Sequence, residues 1–203
     1  MRDIALQQTL DCLKTGGIVI LVDTDREMEA DLALSGRHCT AANINFLMTH
    51  ARGILCSVLS QQRADQFGVA RLQSNDLDPF STPFGMPVSL NDGTTSVSAS
   101  ARARTINALA AGKIEGIEMI MPGHVQTLVA HPNGLRSRQG HTETLIELLT
   151  MAGENDVGVL CEVLNRDGEI ASASEISALA QEYGLPMLDI AVVRHHVSSR
   201  EPS

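Results

Sequence analysis

Three short, largely apolar runs at residues 18–22, 54–59 and 157–164 constrain this chain more than any other feature. Apolar segments of that length, bounded by glycine or turn residues, are buried strands rather than helices. Between them lie segments with helical spacing. A helix is expected over 3–14, stopped by Gly16-Gly17, and another from an N-cap at Thr40 to Ala51 with Ile44, Leu47 and Met48 on one face. Further helices are expected from Ser60 to Phe67, over 101–111, from Thr142 to Gly153, and from a cap at Ser174 to Tyr183. Shorter strands are read at 31–34, 87–90, 117–121 and 125–129, the last two flanking Pro122-Gly123-His124, with a final strand from Pro186. Residues 72–86 lack periodicity and read as a long surface loop. The interleaving implies an α/β (α+β) fold, a mixed sheet covered by helices. Residues 1–193 form one domain on this reading, and 194–203 a frayed tail.

A chain of 203 residues supports one sizeable core. With no Trp, one Tyr and four Phe, that core must be aliphatic. A net charge of −9 argues against nucleic acid, whose binding needs Lys and Arg to displace counterions. No apolar run approaches the roughly 20 residues of a membrane span, and no signal peptide is visible, so the cytoplasm is the expected location. Four cysteines without CxxC spacing suggest neither a zinc site nor disulfides.

The first strand empties into Asp23-Thr24-Asp25-Arg26-Glu27-Met28-Glu29-Ala30-Asp31, five carboxylates and one guanidinium in nine residues. Converging carboxylates suit a hard divalent cation; a solvated acidic loop is the plain alternative. Downstream, Arg138, Gly140, His141 and Thr142 sit at an expected helix N-terminus. Free N–H groups, a hydroxyl and a forked cation there make an anion site suited to phosphate, or simply a Thr cap beside an exposed arginine. His124 sits at a Pro-Gly-His corner and Glu162 interrupts an apolar strand; each has a structural reading as well.

Taken in order, these segments carry a resemblance. Gly17-Ile18-Val19-Ile20 with Asp25-Arg26-Glu27-x-Glu29-x-Asp31, Gly93-Thr94-Thr95 with Ser98-Ala99, Pro122-Gly123-His124, Arg138-x-Gly140-His141-Thr142-Glu143 and Gly158-Val159-Leu160-Cys161-Glu162 resemble the 3,4-dihydroxy-2-butanone 4-phosphate synthases of riboflavin biosynthesis. The resemblance implies a three-layer α/β fold and a homodimeric lyase with sites between subunits. It implies conversion of ribulose 5-phosphate to the four-carbon ketone phosphate plus formate, with Mg²⁺ or Mn²⁺ and two ions per site. Glu27 and His141 match the metal ligands. Arg26, Asp31, Cys56, Arg138, Gly140 and Thr142 match substrate-contacting positions, which Glu27, His141 and Glu162 share. His124, Glu162 and Asp31 match positions needed for turnover.

The chain also departs from the family pattern. Thr24 replaces an acid, Met28 an Asn, Ala30 a Gly and Met121 a basic residue, while Ser96 and Ala101 alter the Gly-Ile-Ser-Ala…Asp-Arg segment. Ala at a glycine position is expected to redirect the acidic loop. A paralogue diverting the same sugar phosphate to another product, or a non-catalytic sugar-phosphate binder, are the alternatives.

Overall fold

The apolar runs become strands of one sheet. The computed structural model describes residues 2–73, 77–78, 80–113 and 115–199. Among them the strands are β1 (Val19–Val22), β2 (Ala30–Ser35), β3 (Cys56–Leu59), β4 (Phe84–Leu90), β5 (Met119–Val129), β6 (Val157–Glu162) and β7 (Met187–Asp189). Their order is β4-β5-β3-β6-β2-β1-β7. The β1/β7 and β3/β5 pairs are parallel and the others antiparallel, so the sheet is mixed.

The helices are α1 (Arg2–Lys14), α2 (Ala41–His50), α3 (Gln61–Phe67), α4 (Ala99–Leu109), α5 (His141–Ala152), α6 (Ala173–Tyr183) and α7 (Ile190–Ser198). Side chains alternate across the sheet. Ile20, Leu32 and Leu34 pack with Ile44, Leu47 and Ile106 beneath α2 and α4. Leu21, Ala33 and Val58 pack on the opposite face with Leu13, Leu145, Leu149 and Ile190 from α1, α5 and α7. The result is a three-layer α/β fold with an aliphatic core on each face. Asp31 and Glu162 share the parity of Ala33 and Leu160, and so belong to the α5 face. Among the described residues no helix is long and apolar enough to cross a membrane.

Several expectations change. Residues 117–129, read as two strands, hold one strand running through Pro122. Pairing of β3 with β5 begins at Cys56 and Gln126, so Pro122 has no β3 neighbour to receive the N–H it lacks. The β4/β5 register shifts accommodate this. A Cβ at Gly123 would lie 2.0 Å from the Val88 carbonyl carbon, so only glycine permits that approach. The expected loop 72–86 ends earlier, because Phe84–Leu90 is a strand; residues 74–76 and 79 lie outside the described residues. Ser172, not Ser174, caps α6, through a capping box with Glu175. The expected frayed tail is helical from Arg194 to Ser198, because Asp189 caps α7 and Val193 is buried; residues 200–203 lie outside the described residues.

Candidate active site

The sheet register places two expected site residues side by side. Asp31 pairs with Glu162. At about 4.8 Å per strand, Glu162 lies about 5 Å from Asp31. Ile54, just before β3, lies against Glu162 and lines one small cavity with His124. Glu162 Oε2 accepts a hydrogen bond from the Ile54 N–H at 2.7 Å. Gly53 makes room for it, since a Cβ there would stand 2.4 Å from the same oxygen.

The acidic loop is closed by its first residue. Asp23 N donates to Glu29 O at 2.9 Å, and Asp23 Oδ1 accepts from the Asp25 and Arg26 N–H groups at 3.1 and 3.2 Å. Arg194 of α7 donates to the same oxygen at 2.9 Å. Thr24 donates to Asp189 Oδ2 at 2.8 Å, so the residue that replaces an acid ties the loop to the end of β7. Ala30 does not redirect the loop: it lies in β2, paired with Val22, in extended backbone. The left-handed position is Met28, at φ 55°, where a branched or long side chain is disfavoured and Asn is tolerated.

This loop delivers Glu27 to α5. Glu27 Oε2 lies 3.1 Å from His141 Nδ1, across 114 residues of chain. Arg138 stands beside them, its Nη2 3.9 Å from Glu27 Oε1 and its Nη1 donating to the buried Glu143 at 2.7 Å. Gly140, rather than Thr142, is the N-cap of α5, with no side-chain capping bond. A Cβ on Gly140 would meet the Arg138 guanidinium at 2.3 Å, so glycine lets that cation lie over the helix N-terminus. Thr142 is buried in the first turn.

The electrostatics favour positive charge at this point. The hydrogen bond from His141 holds the Glu27 carboxyl below its usual range against the opposing effect of burial. Burial alone would lower the His141 pKa, but the Asp31 and Glu27 charges outweigh it and raise it to about 9. Burial, with the nearby Glu162 and Glu29 charges adding to it, pushes Asp31 up to about 7. Burial and the Glu27 and Glu162 charges likewise push Glu29 up. Asp31 Oδ1 and His141 Nε2 are buried without a hydrogen-bond partner among the described residues.

Two cavities border these groups. One, of about 390 Å³, is lined by Arg26, Arg71, His131, Arg138 and Gln139 among others. A second, of about 360 Å³, is lined by Gly53, Ile54, Arg102, His124 and Gln126. Arg26 reaches Gln139 O at 3.0 Å. His124 is exposed, with Nδ1 3.3 Å from Ser89 Oγ, and does not join the Glu27–His141 cluster within one chain. Cys56 is 1% exposed; burial, helped by the Glu162 and Asp31 charges, pushes its thiol up, away from nucleophilic character. The larger cavities of about 600 and 780 Å³ hold none of the expected site residues.

The sequence profile of the family described as 3,4-dihydroxy-2-butanone 4-phosphate synthase matches residues 7–196. The chain belongs to this family. A 3,4-dihydroxy-2-butanone 4-phosphate synthase of Pseudomonas aeruginosa is 36% identical over 193 residues, covering 94% of this chain and 53% of that protein. The chain thus spans about half the length of that relative. One of Pectobacterium carotovorum subsp. carotovorum is 36% identical over 187 residues, covering 91% of this chain and 86% of that protein. A family synthase solved in complex with two magnesium ions superposes with a TM-score of 0.86 at 28% identity, covering 95% of this chain and 96% of that one.

The residues present fit a divalent ion. Among the described residues no three His, Cys, Asp or Glu side chains converge on one point. Glu27 and His141, 3.1 Å apart, are the residues that would hold such an ion, with water completing its shell. The field that keeps His141 protonated would equally hold such an ion.

Sequence reasoning missed Asp23, Arg194, Gly53, Glu143 and Arg71. Asp23 was visible as part of the acidic loop, but its partner lies 171 residues away. The departures at Ser96 and Ala101 are absorbed by packing: Ser96 Oγ is 2.8 Å from Thr105 Oγ1, and Ala101 is buried in α4. Met121 packs against the core cluster beneath α2 and α4.

Proposed function

We propose that the chain converts D-ribulose 5-phosphate to 3,4-dihydroxy-2-butanone 4-phosphate and formate, using Mg²⁺ or Mn²⁺ bound by Glu27 and His141. The meeting of those two residues beside Arg138 carries this reading, because nothing in the core requires a loop carboxylate to contact that histidine. Arg26 and Arg138 bind the substrate's phosphate, aided by Thr142 and the N–H groups at the start of α5. A divalent ion, when bound, polarises adjacent substrate oxygens and offsets developing negative charge. Asp31, titrating near neutrality, is suited to give and accept a proton during enediol formation and the later carbon shift. Glu162, fixed by the Ile54 N–H, holds a second carboxylate about one strand spacing away.

His124 acts from a second copy of the chain. It is exposed, and beside it in the smaller cavity Ile54 and Met48 are 55% and 40% exposed, an apolar surface suited to burial in a homodimer. With four free cysteines, the enzyme works in a reducing compartment, the cytoplasm.

Incubation with ribulose 5-phosphate and Mg²⁺ or Mn²⁺ is expected to release one formate per substrate consumed, and none after chelation. Absence of formate at high enzyme concentration overturns the assignment.

A further inference from the structure

Arg71 and His131 have no part in the roles above, yet both line the 390 Å³ cavity with Arg26 and Arg138. Arg138 is compensated, by Glu143 at 2.7 Å and more distantly by Glu27. Among the described residues Arg26 and Arg71 are not. Arg26 gives one nitrogen to Gln139 O at 3.0 Å, and Arg71 gives one to Val129 O at 2.5 Å. Among the described residues neither has a carboxylate within ion-pair distance. A guanidinium has five N–H donors, so each anchor leaves several for the cavity.

The backbone that presents Arg71 is rigid. Leu72 N bonds Phe84 O and Met86 N bonds Ala70 O, so Arg71 bridges to Gly85 along the edge of β4. His131 is oriented too. Its main-chain N–H bonds Glu143 Oε1 at 2.9 Å, and its Nδ1 accepts from Asn133 N at 3.1 Å. The ring proton therefore sits on Nε2, making His131 a further donor. Two guanidinia with no carboxylate partner among the described residues and a donor imidazole around one small cavity, in a chain of net charge −9, call for an anion of more than one charge.

We propose that Arg71 is a specificity-determining residue that binds the substrate's phosphate dianion together with Arg26, selecting phosphorylated over free sugar. This rests on the sugar-phosphate reading above. The decisive variants are Arg71→Met, which removes charge and the Val129 bond, and Arg71→Gln, which keeps a donor for Val129 O but no charge. In both, KM for ribulose 5-phosphate rises at least about tenfold while kcat stays within about threefold, the signature of lost uniform binding. The inhibition constant of inorganic phosphate rises by a similar factor, and Arg71→Lys recovers most of the loss. Wild-type KM and phosphate inhibition in Arg71→Gln overturn the proposal while leaving the assigned reaction standing. If the wild-type protein releases no formate, titration calorimetry with inorganic phosphate still decides. Weaker binding in Arg71→Gln supports the site, and equal binding removes it.

Discussion

Replacing Arg194 with Met tests whether α7 holds the acidic loop in place. Asp23 is fully buried at its side chain and Arg194 is 11% exposed, so the pair is desolvated. Removing one partner of a buried pair costs about 3–5 kcal/mol, because the other charge is left uncompensated. Asp23 keeps two backbone N–H bonds, which places the expected loss near the lower end, about 3 kcal/mol. The second contact, to the exposed Asp25 at 3.8 Å, adds little. For a chain of this length that loss lowers Tm by about 6–12 °C, measured by calorimetry at fixed protein concentration. The pH dependence gives an independent check. Burial works to raise the Asp23 carboxyl, but the Asp25 N–H bond, the Arg194 charge and the Arg26 N–H bond outweigh it and hold it below its usual range. A carboxyl depressed in the folded state contributes its full stability above the unfolded pKa of about 3.9, and loses it as pH falls through the folded value. The Tm gap between wild type and Arg194→Met is thus full at neutral pH and narrows in acid. In a cycle with Asp23→Asn, the double variant is less damaged than the sum of the single changes. A Tm loss under about 2 °C, or a gap constant from neutrality into acid, refutes the clamp.

Three further outcomes are expected. Met28→Asn relieves a left-handed position and raises Tm by about 2–4 °C, corresponding to about 1 kcal/mol; an unchanged melt contradicts the strain. Gly140→Ala drives a Cβ into the Arg138 nitrogen that pairs with the buried Glu143, so Tm falls by up to about 10 °C and KM for ribulose 5-phosphate rises about tenfold or more; an unchanged melt and KM contradict the packing of that guanidinium over Gly140. Mg²⁺ raises the Tm of the wild-type protein by mass action but not that of Glu27→Gln, and an equal rise in both places the ion elsewhere.

Most of the framework was legible in the sequence because burial leaves a periodic trace. Strand 157–162 and the helix carrying Leu145, Leu148 and Leu149 were marked by their apolar spacing, and Gly68 and Gly153 marked helix ends with left-handed backbone. Pro122 misled, because its exclusion from a sheet interior fails where one flank of the strand is unpaired. The pairing of Glu27 with His141 was expected only through resemblance, since no local rule joins residues 114 positions apart. Met28 rather than Ala30 takes the left-handed angle because Ala30 already belongs to a ladder, a fact set by tertiary register. Arg71 escaped notice because it stands just before the stretch 72–86 that reads as loop; only the bridge to Gly85 shows it belongs to a fixed edge.

The adjacency of β1 and β7 has a bearing on biosynthesis. The anchors of the acidic loop, Asp189 and Arg194, are translated 165 and 171 residues after their partners Thr24 and Asp23. A nascent chain can lay down most of its sheet while that loop stays untethered, since contacts so remote in sequence close late. Emergence of α7 from the ribosome is thus what tethers the loop that carries Glu27, and a product stopped before α7 would retain most of the sheet without that tether.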